Sequence, residues 1–100
     1  MNDKILIRKG ITIAIQVVSN IHKDFNPNIE ECYRAYNLTL CKTFSEAMFE
    51  LTGISGTMVK GTDTKRGTEK IVCRYGSYWI DICHDIYVSK FKPKRFKTGG

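Results

Sequence analysis

One change of pattern, at Gly53, most constrains the fold of this chain of 100 residues. Before Gly53, apolar side chains recur every three or four residues, as in helices with one buried face. After it, threonines, glycines and β-branched residues form short runs, as in strands joined by turns. Helices followed by strands are typical of an α+β domain. We therefore predict N-terminal helices packed on a small antiparallel sheet of about three to four strands.

The first segment of the helical half fits two structures. Apolar residues recur at alternating steps of four and three from Ile7 to Phe25, which predicts a helix. Residues 11–17 also alternate with β-branched side chains, which favours a hairpin. The helical pattern is the longer one, so we predict a helix over residues 4–18 and keep the hairpin as the alternative.

The second helical segment extends from Ile29 to Leu51, where the apolar stripe is more regular. The letters "NLT" at 37–39 indicate a break, and "TFSE" at 43–46 has the spacing of a capping box. Together these features predict two short helices, with Cys41 near the start of the second.

The second half of the chain contains short candidate strands and a charged loop. The strands are predicted at 57–61 and 69–76, with one or two more within 77–91, and the exposed loop at 62–68. At this length we expect one folded domain, over residues 1–89, followed by a basic tail over 90–100.

Positive charge is concentrated at the C-terminus. The net charge is +6, and the chain from residue 86 onward contains five cations and no acid, so residues 1–85 carry 6 − 5 = +1. Two phenylalanines alternate with these cations. Cations neutralise phosphates, and aromatic rings stack on unpaired bases or pack in a protein groove.

Residues 60–74 add a second basic stretch, with five cations against two acids. It would extend the same surface if the loop 62–68 folds towards the tail. The predicted contact residues are Lys90, Phe91, Lys92, Lys94, Arg95, Phe96 and Lys97 in the tail, and Lys65, Arg66, Lys70 and Arg74 before it. We expect a small non-enzymatic binding protein whose partner is nucleic acid or a nucleic-acid-handling protein. Its size and charge would suit an accessory or inhibitor protein of a phage or mobile element.

An enzymatic alternative depends on Cys41 in "LTLCKTFSEAMFELTGI". A thiolate is favoured at a helix N-terminus beside a base. A cysteine that opens a helix, followed by "LTGI" and strands, resembles the small core of the transglutaminase-like and papain-like cysteine fold over residues 38–91. The resemblance implies a cysteine hydrolase or acyl transferase that uses Cys41.

That family carries a histidine in an "HxW" context and an acid after a turn. Here Ser77 precedes "YW" where the histidine is expected, and Val88 occupies the place of the acid. His84 and Asp85 lie nearby but out of register. If this region is extended, neighbouring side chains point to opposite faces, so Cys83, His84 and Asp85 cannot form a triad. The resemblance therefore implies a member without its base and orienting acid, which would be inactive.

A third alternative comes from Gly99-Gly100, which resembles the diglycine end of ubiquitin-like modifiers. A hairpin over residues 4–18 would give the strand and helix order of a β-grasp fold, in keeping with such a modifier. Otherwise the two glycines form a flexible end.

Several classes of function lack their motifs. The four cysteines form no CxxC and the two histidines are not spaced as in a zinc finger, so we expect no metal and no cofactor. No glycine pattern matches a phosphate-binding loop. The longest apolar segment is too short to cross a bilayer, and the N-terminus does not resemble a signal peptide. We expect a cytoplasmic protein with unpaired thiols and no membrane contact.

Overall fold

A computed structural model describes residues 2–99. The three helices and five strands, in chain order, are α1 (Asp3–Ile21), α2 (Glu30–Ala35), α3 (Asn37–Thr52), β1 (Thr57–Asp63), β2 (Thr68–Tyr75), β3 (Tyr78–Asp81), β4 (Tyr87–Ser89) and β5 (Phe96–Thr98). The α+β class is confirmed. The sheet has five strands rather than three to four, because the end of the basic segment forms β5.

Helix α1 is continuous through residues 4–18, so the hairpin alternative is wrong for this segment. The Asn2 side chain accepts a hydrogen bond from the Lys4 N–H and caps the first turn. The buried stripe of α1 packs against α3, and Gly10 allows the close approach: a Cβ at Gly10 would lie 2.5 Å from Met48 Sδ. The apolar pattern that extends over more residues, the helical one, therefore predicted the structure of this segment correctly.

Helices α2 and α3 meet at Tyr36, one residue before the predicted break. The predicted capping box at 43–46 is wrong, because "TFSE" lies inside α3. There Thr43 Oγ1 donates to the carbonyl of Thr39 within the helix. Cys41 lies one turn inside α3, near the start of the helix as predicted. Gly53 ends the helix in the left-handed region, at φ 81°.

The strands form one antiparallel sheet in the order β4-β3-β2-β1-β5. Side chains of β2 alternate between two faces. Cys73 and Tyr75 point to what we call the inner face, where they join the core with α1 and α3. Lys70, Val72 and Arg74 point to the opposite, outer face. No helix within residues 2–99 is long and apolar enough to span a membrane.

The outer face is partly closed by the curl of the sheet. Phe96 of β5 reaches Trp79 of β3, with the ring centroids 6.3 Å apart. Gly61 of β1 lies below Phe96, and a Cβ at Gly61 would be 2.7 Å from the phenyl ring. Val72, on the same face, is fully buried. We call Gly61, Val72, Trp79 and Phe96 the outer cluster.

Candidate nucleic-acid interface

The turn between β1 and β2, residues 64–67, is tied to the C-terminal segment. The Thr64 N–H donates to the Arg95 carbonyl at 2.8 Å, and Thr64 Oγ1 donates to the same oxygen at 3.2 Å. Strand β5 pairs with β1, with Asp63 opposite Phe96. The charged loop therefore does fold towards the tail, which is the condition on which the larger predicted surface depended.

Asp63 and Gly67 fix the shape of this turn. Asp63 Oδ1 accepts hydrogen bonds from the N–H groups of Lys65 at 2.9 Å and Arg66 at 3.3 Å. Gly67 has φ +68°, a conformation that other residues rarely adopt. The turn thus has a defined conformation that holds its cations beside the C-terminal segment.

A cleft of about 160 Å³ lies between the turn, β2 and the C-terminal segment, and we call it the turn–tail cleft. Five of the predicted contact residues line it: Lys65, Arg66, Lys70, Arg95 and Phe96. Three acids also line it: Glu30, Asp63 and Asp81. The structure therefore brings together cations from the two basic stretches, but among carboxylates that the sequence argument did not include.

The acids neutralise some of these cations and leave others free. Lys70 Nζ lies 2.9 Å from Asp81 Oδ2, and both side chains are mostly buried. Arg66 lies 3.9 Å from Glu30 and within 4.0 Å of Asp63. In the described part of the chain, neither Lys65 nor Arg95 forms an ion pair. These two cations are the ones in the cleft that remain available to an anionic ligand.

Asp81 is the polar residue of this region that sequence reasoning missed. Its side chain points to the outer face from the end of β3, and its Oδ1 atom is buried with no hydrogen-bond partner within residues 2–99. Burying a carboxylate without a partner lowers the stability of the fold, so the ion pair with Lys70 offsets the cost of burying Asp81. The alternation of β3 could have indicated that Asp81 shares a face with Trp79.

A larger cleft of about 440 Å³ adjoins the turn–tail cleft, between α2 and β2. It contains side chains of both signs, among them Arg34 and Glu69, and so has no clear preference for an anion. Cys83 lies on its wall, where burial raises the pKa of the thiol to about 11. Burial therefore disfavours the thiolate, which is the reactive form of a cysteine.

Arg74 lies apart from the cleft, on the outer cluster. Its guanidinium carbon is 4.1 Å from the centroid of the Trp79 ring. Its Nε donates to the Tyr78 carbonyl at 3.3 Å. Arg74 is therefore held in one orientation over an aromatic ring.

The rest of the predicted tail residues divide between exposed and buried. Lys90, Lys92, Lys94 and Lys97 are exposed. Phe91 is 78% exposed, whereas Phe96 is 3% exposed and packs in the outer cluster. The backbone of Phe91 is nevertheless held, because its N–H bonds Ser89 Oγ and its carbonyl accepts from the Tyr87 hydroxyl. Phe91 can therefore contact a partner, while Phe96 mainly anchors the segment.

Cys41 is fully buried in the core. In the described chain its thiol contacts the Asn37 amide and the Ile71 carbonyl. The neighbouring Cys73 thiol has a raised pKa because of its hydrogen bond with Cys41 and its burial. A thiol in this environment is closed to substrate.

Of the other residues of the enzymatic alternative, Val88 lies in β4, whereas Ser77, His84 and Asp85 lie outside helices and strands. Residues 82–86 form no strand, and His84 is exposed with its ring 6.4 Å from that of Tyr33. Across residues 2–99, no three His, Cys, Asp or Glu side chains are grouped to hold a metal ion. Gly99 is exposed, with φ +80°, and Gly100 lies outside the described residues.

Comparison of the chain with protein-family models, with curated proteins and with solved structures returned no match.

Proposed function

We propose that this protein binds nucleic acid through one basic surface made of the turn 64–67, the segment 90–97 and the turn–tail cleft between them. The observation that carries the proposal is the double hydrogen bond from Thr64 to the Arg95 carbonyl. It joins two basic stretches that are about thirty residues apart in the sequence.

The free cations on this surface outnumber its free acids. Lys90, Lys92, Lys94, Arg95 and Lys97 have no carboxylate within ion-pair distance among residues 2–99, and neither has Lys65. The acids of the cleft, in contrast, already contact Lys70 and Arg66. Each free cation that meets a phosphate releases a counterion, so the surface favours a polyanion.

Order in the C-terminal segment lowers the cost of binding. The segment is attached to the sheet at β4 and again at β5, and Phe96 anchors the second attachment. Its cations therefore lose less conformational freedom on binding than those of a frayed terminus would. Exposed Phe91 adds an aromatic ring among them.

A salt series with charge-matched variants tests the proposal. The measurement is the fluorescence anisotropy of labelled single- and double-stranded oligonucleotides at increasing salt. Lys92, Lys94 and Lys97 are changed together to Gln in the test variant, and Lys4, Lys9 and Lys42 in a control that removes the same charge from the helices. If all three tail cations contact phosphates, the negative slope of log affinity against log salt should become less steep by about 2–3 in the test variant only.

Two results would contradict the proposal. One is the absence of binding by the unaltered chain even at low salt. The other is an equal loss in the test and control variants, because that would show attraction by net charge without a defined surface.

A further inference from the structure

The outer face of the sheet contains an ordered arginine that the basic surface described above does not use. We infer that Arg74 and Trp79 form a stacking site for an unpaired base. The inference rests on the proposed function and specifies it: the ligand would be a single strand.

The geometry of the Arg74 and Trp79 pair is fixed from two directions. The residues are cross-strand neighbours on β2 and β3, and the guanidinium lies over the indole ring at 4.1 Å. The hydrogen bond from Nε to the Tyr78 carbonyl restrains the guanidinium in this position. Arg74 is half-buried in this arrangement, so its planar guanidinium has less conformational freedom to lose when a ligand binds.

Arg74 also lacks the partners that would explain a purely structural ion pair. No carboxylate within residues 2–99 lies within ion-pair distance of it. On the side away from Trp79, its cross-strand neighbour is Thr57, a small and exposed residue. The guanidinium is therefore neither neutralised nor covered by a large side chain from β1.

The pair lies beside both ends of the basic segment. Ser89, the residue before Lys90, is the cross-strand neighbour of Trp79 on β4. At the other end, the Phe96 ring is 6.3 Å from the Trp79 ring. A strand whose phosphates contact the segment 90–95 would thus run close to Arg74, and a base could turn inward to meet it.

Bases stack on guanidinium planes as they do on aromatic rings, and this works for any base because each has a π face. In a duplex both faces of a base are covered by its neighbours. A stacking site therefore selects single strands, whereas cations alone bind either form.

Trp79 makes the test direct, because it is the single tryptophan of the chain. The unaltered protein is titrated with an unlabelled oligothymidylate of about 12 nucleotides and with a duplex of equal length. The expected result is a change in Trp79 emission with the single strand, saturating at the concentration found by anisotropy with a labelled oligonucleotide, and a much smaller change with the duplex.

The variant Arg74→Lys separates planarity from charge. It keeps the positive charge but loses the flat guanidinium, so single-strand affinity should fall about tenfold while duplex affinity stays unchanged. Thermal unfolding of the variant shows whether the sheet is intact. The emission titration uses the unaltered chain, so it decides the question even if the variant does not fold.

The outcomes distinguish the two proposals. Binding by anisotropy with no change in Trp79 emission, or with equal changes for single strand and duplex, would overturn the stacking site and leave the nucleic-acid interface standing. No binding of either nucleic acid at low salt would overturn both.

Discussion

The two faces of the sheet differ in what covers them. The inner face is covered by helices and joins one apolar core, in which Phe44 and Leu40 have no exposed surface. The outer face closes only over its own outer cluster and keeps Lys70, Arg74 and Asp81 around it. One sheet thus supports a stable core on one side and a charged surface on the other.

Polar groups show the same difference. On the inner face, the Asn37 amide donates to the Ile71 carbonyl at 3.0 Å and accepts from the Ile71 N–H at 2.8 Å. It takes the place of a neighbouring strand, because β3 is paired with β2 only from Cys73 to Tyr75. On the outer face, Asp81 keeps an unpartnered oxygen. The Asn37 amide is therefore satisfied by the edge of β2, whereas the Asp81 carboxylate is stabilised only through its other oxygen, by Lys70.

The largest effects are expected from removing one buried phenylalanine on each face of the sheet, Phe44 on the inner face and Phe96 on the outer face. Phe44→Ala should lower the free energy of unfolding by about 4 kcal/mol, since it empties the centre of the main core. Phe96→Ala should cost about 3 kcal/mol, mainly by releasing β5, with the helices intact. Urea denaturation gives both values, and hydrogen exchange shows which amides lose protection.

The proposed difference between the faces is contradicted if Phe96→Ala lowers the hydrogen-exchange protection of the α3 amides as much as Phe44→Ala does. In that case the outer cluster would be part of the global core, and the C-terminal segment would not open separately.

The second effect concerns the ion pair of the outer face. Lys70→Met should cost about 3 kcal/mol, because it leaves the buried carboxylate of Asp81 unpaired. The double variant Lys70→Met with Asp81→Leu should recover most of that loss. Lys60→Met is the control, since the Lys60 and Glu69 pair is two-thirds exposed and should change stability by under about 1 kcal/mol.

Equal and small costs for Lys70→Met and Lys60→Met in thermal or chemical unfolding would contradict this account. They would show that the carboxylate of Asp81 is solvated, so that the outer face is more open than its burial indicates.

Periodicity identified the elements with strong patterns and missed those set by tertiary contact. The apolar stripe was enough to predict α1, because burial in the helix repeats at the same period from Ile7 to Val18, although Ile21 at the end of the helix is exposed. Strand β5 was missed because "FKT" has almost no pattern of its own. It forms a strand because Gly61 leaves room for the Phe96 ring and β1 offers an unpaired edge.

The site was partly predictable for a similar reason. Charge alone pointed to Lys65, Arg66, Lys70 and Arg95, which line one cleft. The charge pattern of the sequence could not show that Lys70 forms an ion pair. Its partner Asp81 lies eleven residues away and is brought close only by the pairing of β2 with β3. The capping-box motif also failed, because its spacing carries no information on whether a helix has already begun.

The smallest effect returns to the inner face. Asn37→Ala should lower the free energy of unfolding by about 2 kcal/mol, because it leaves the Ile71 N–H buried without a partner. The Ile71 carbonyl would still accept from the Cys41 thiol, which limits the loss. Asn37→Asp should cost less in urea denaturation. Its carboxylate can still accept from the Ile71 N–H, and residue 37 begins α3, where the helix dipole favours a negative charge. If the two variants lower the free energy of unfolding equally, the hydrogen bond from the Asn37 NH₂ group to the Ile71 carbonyl must contribute more than the bond that the Asn37 oxygen accepts. The edge of β2 would then be held through the Ile71 carbonyl.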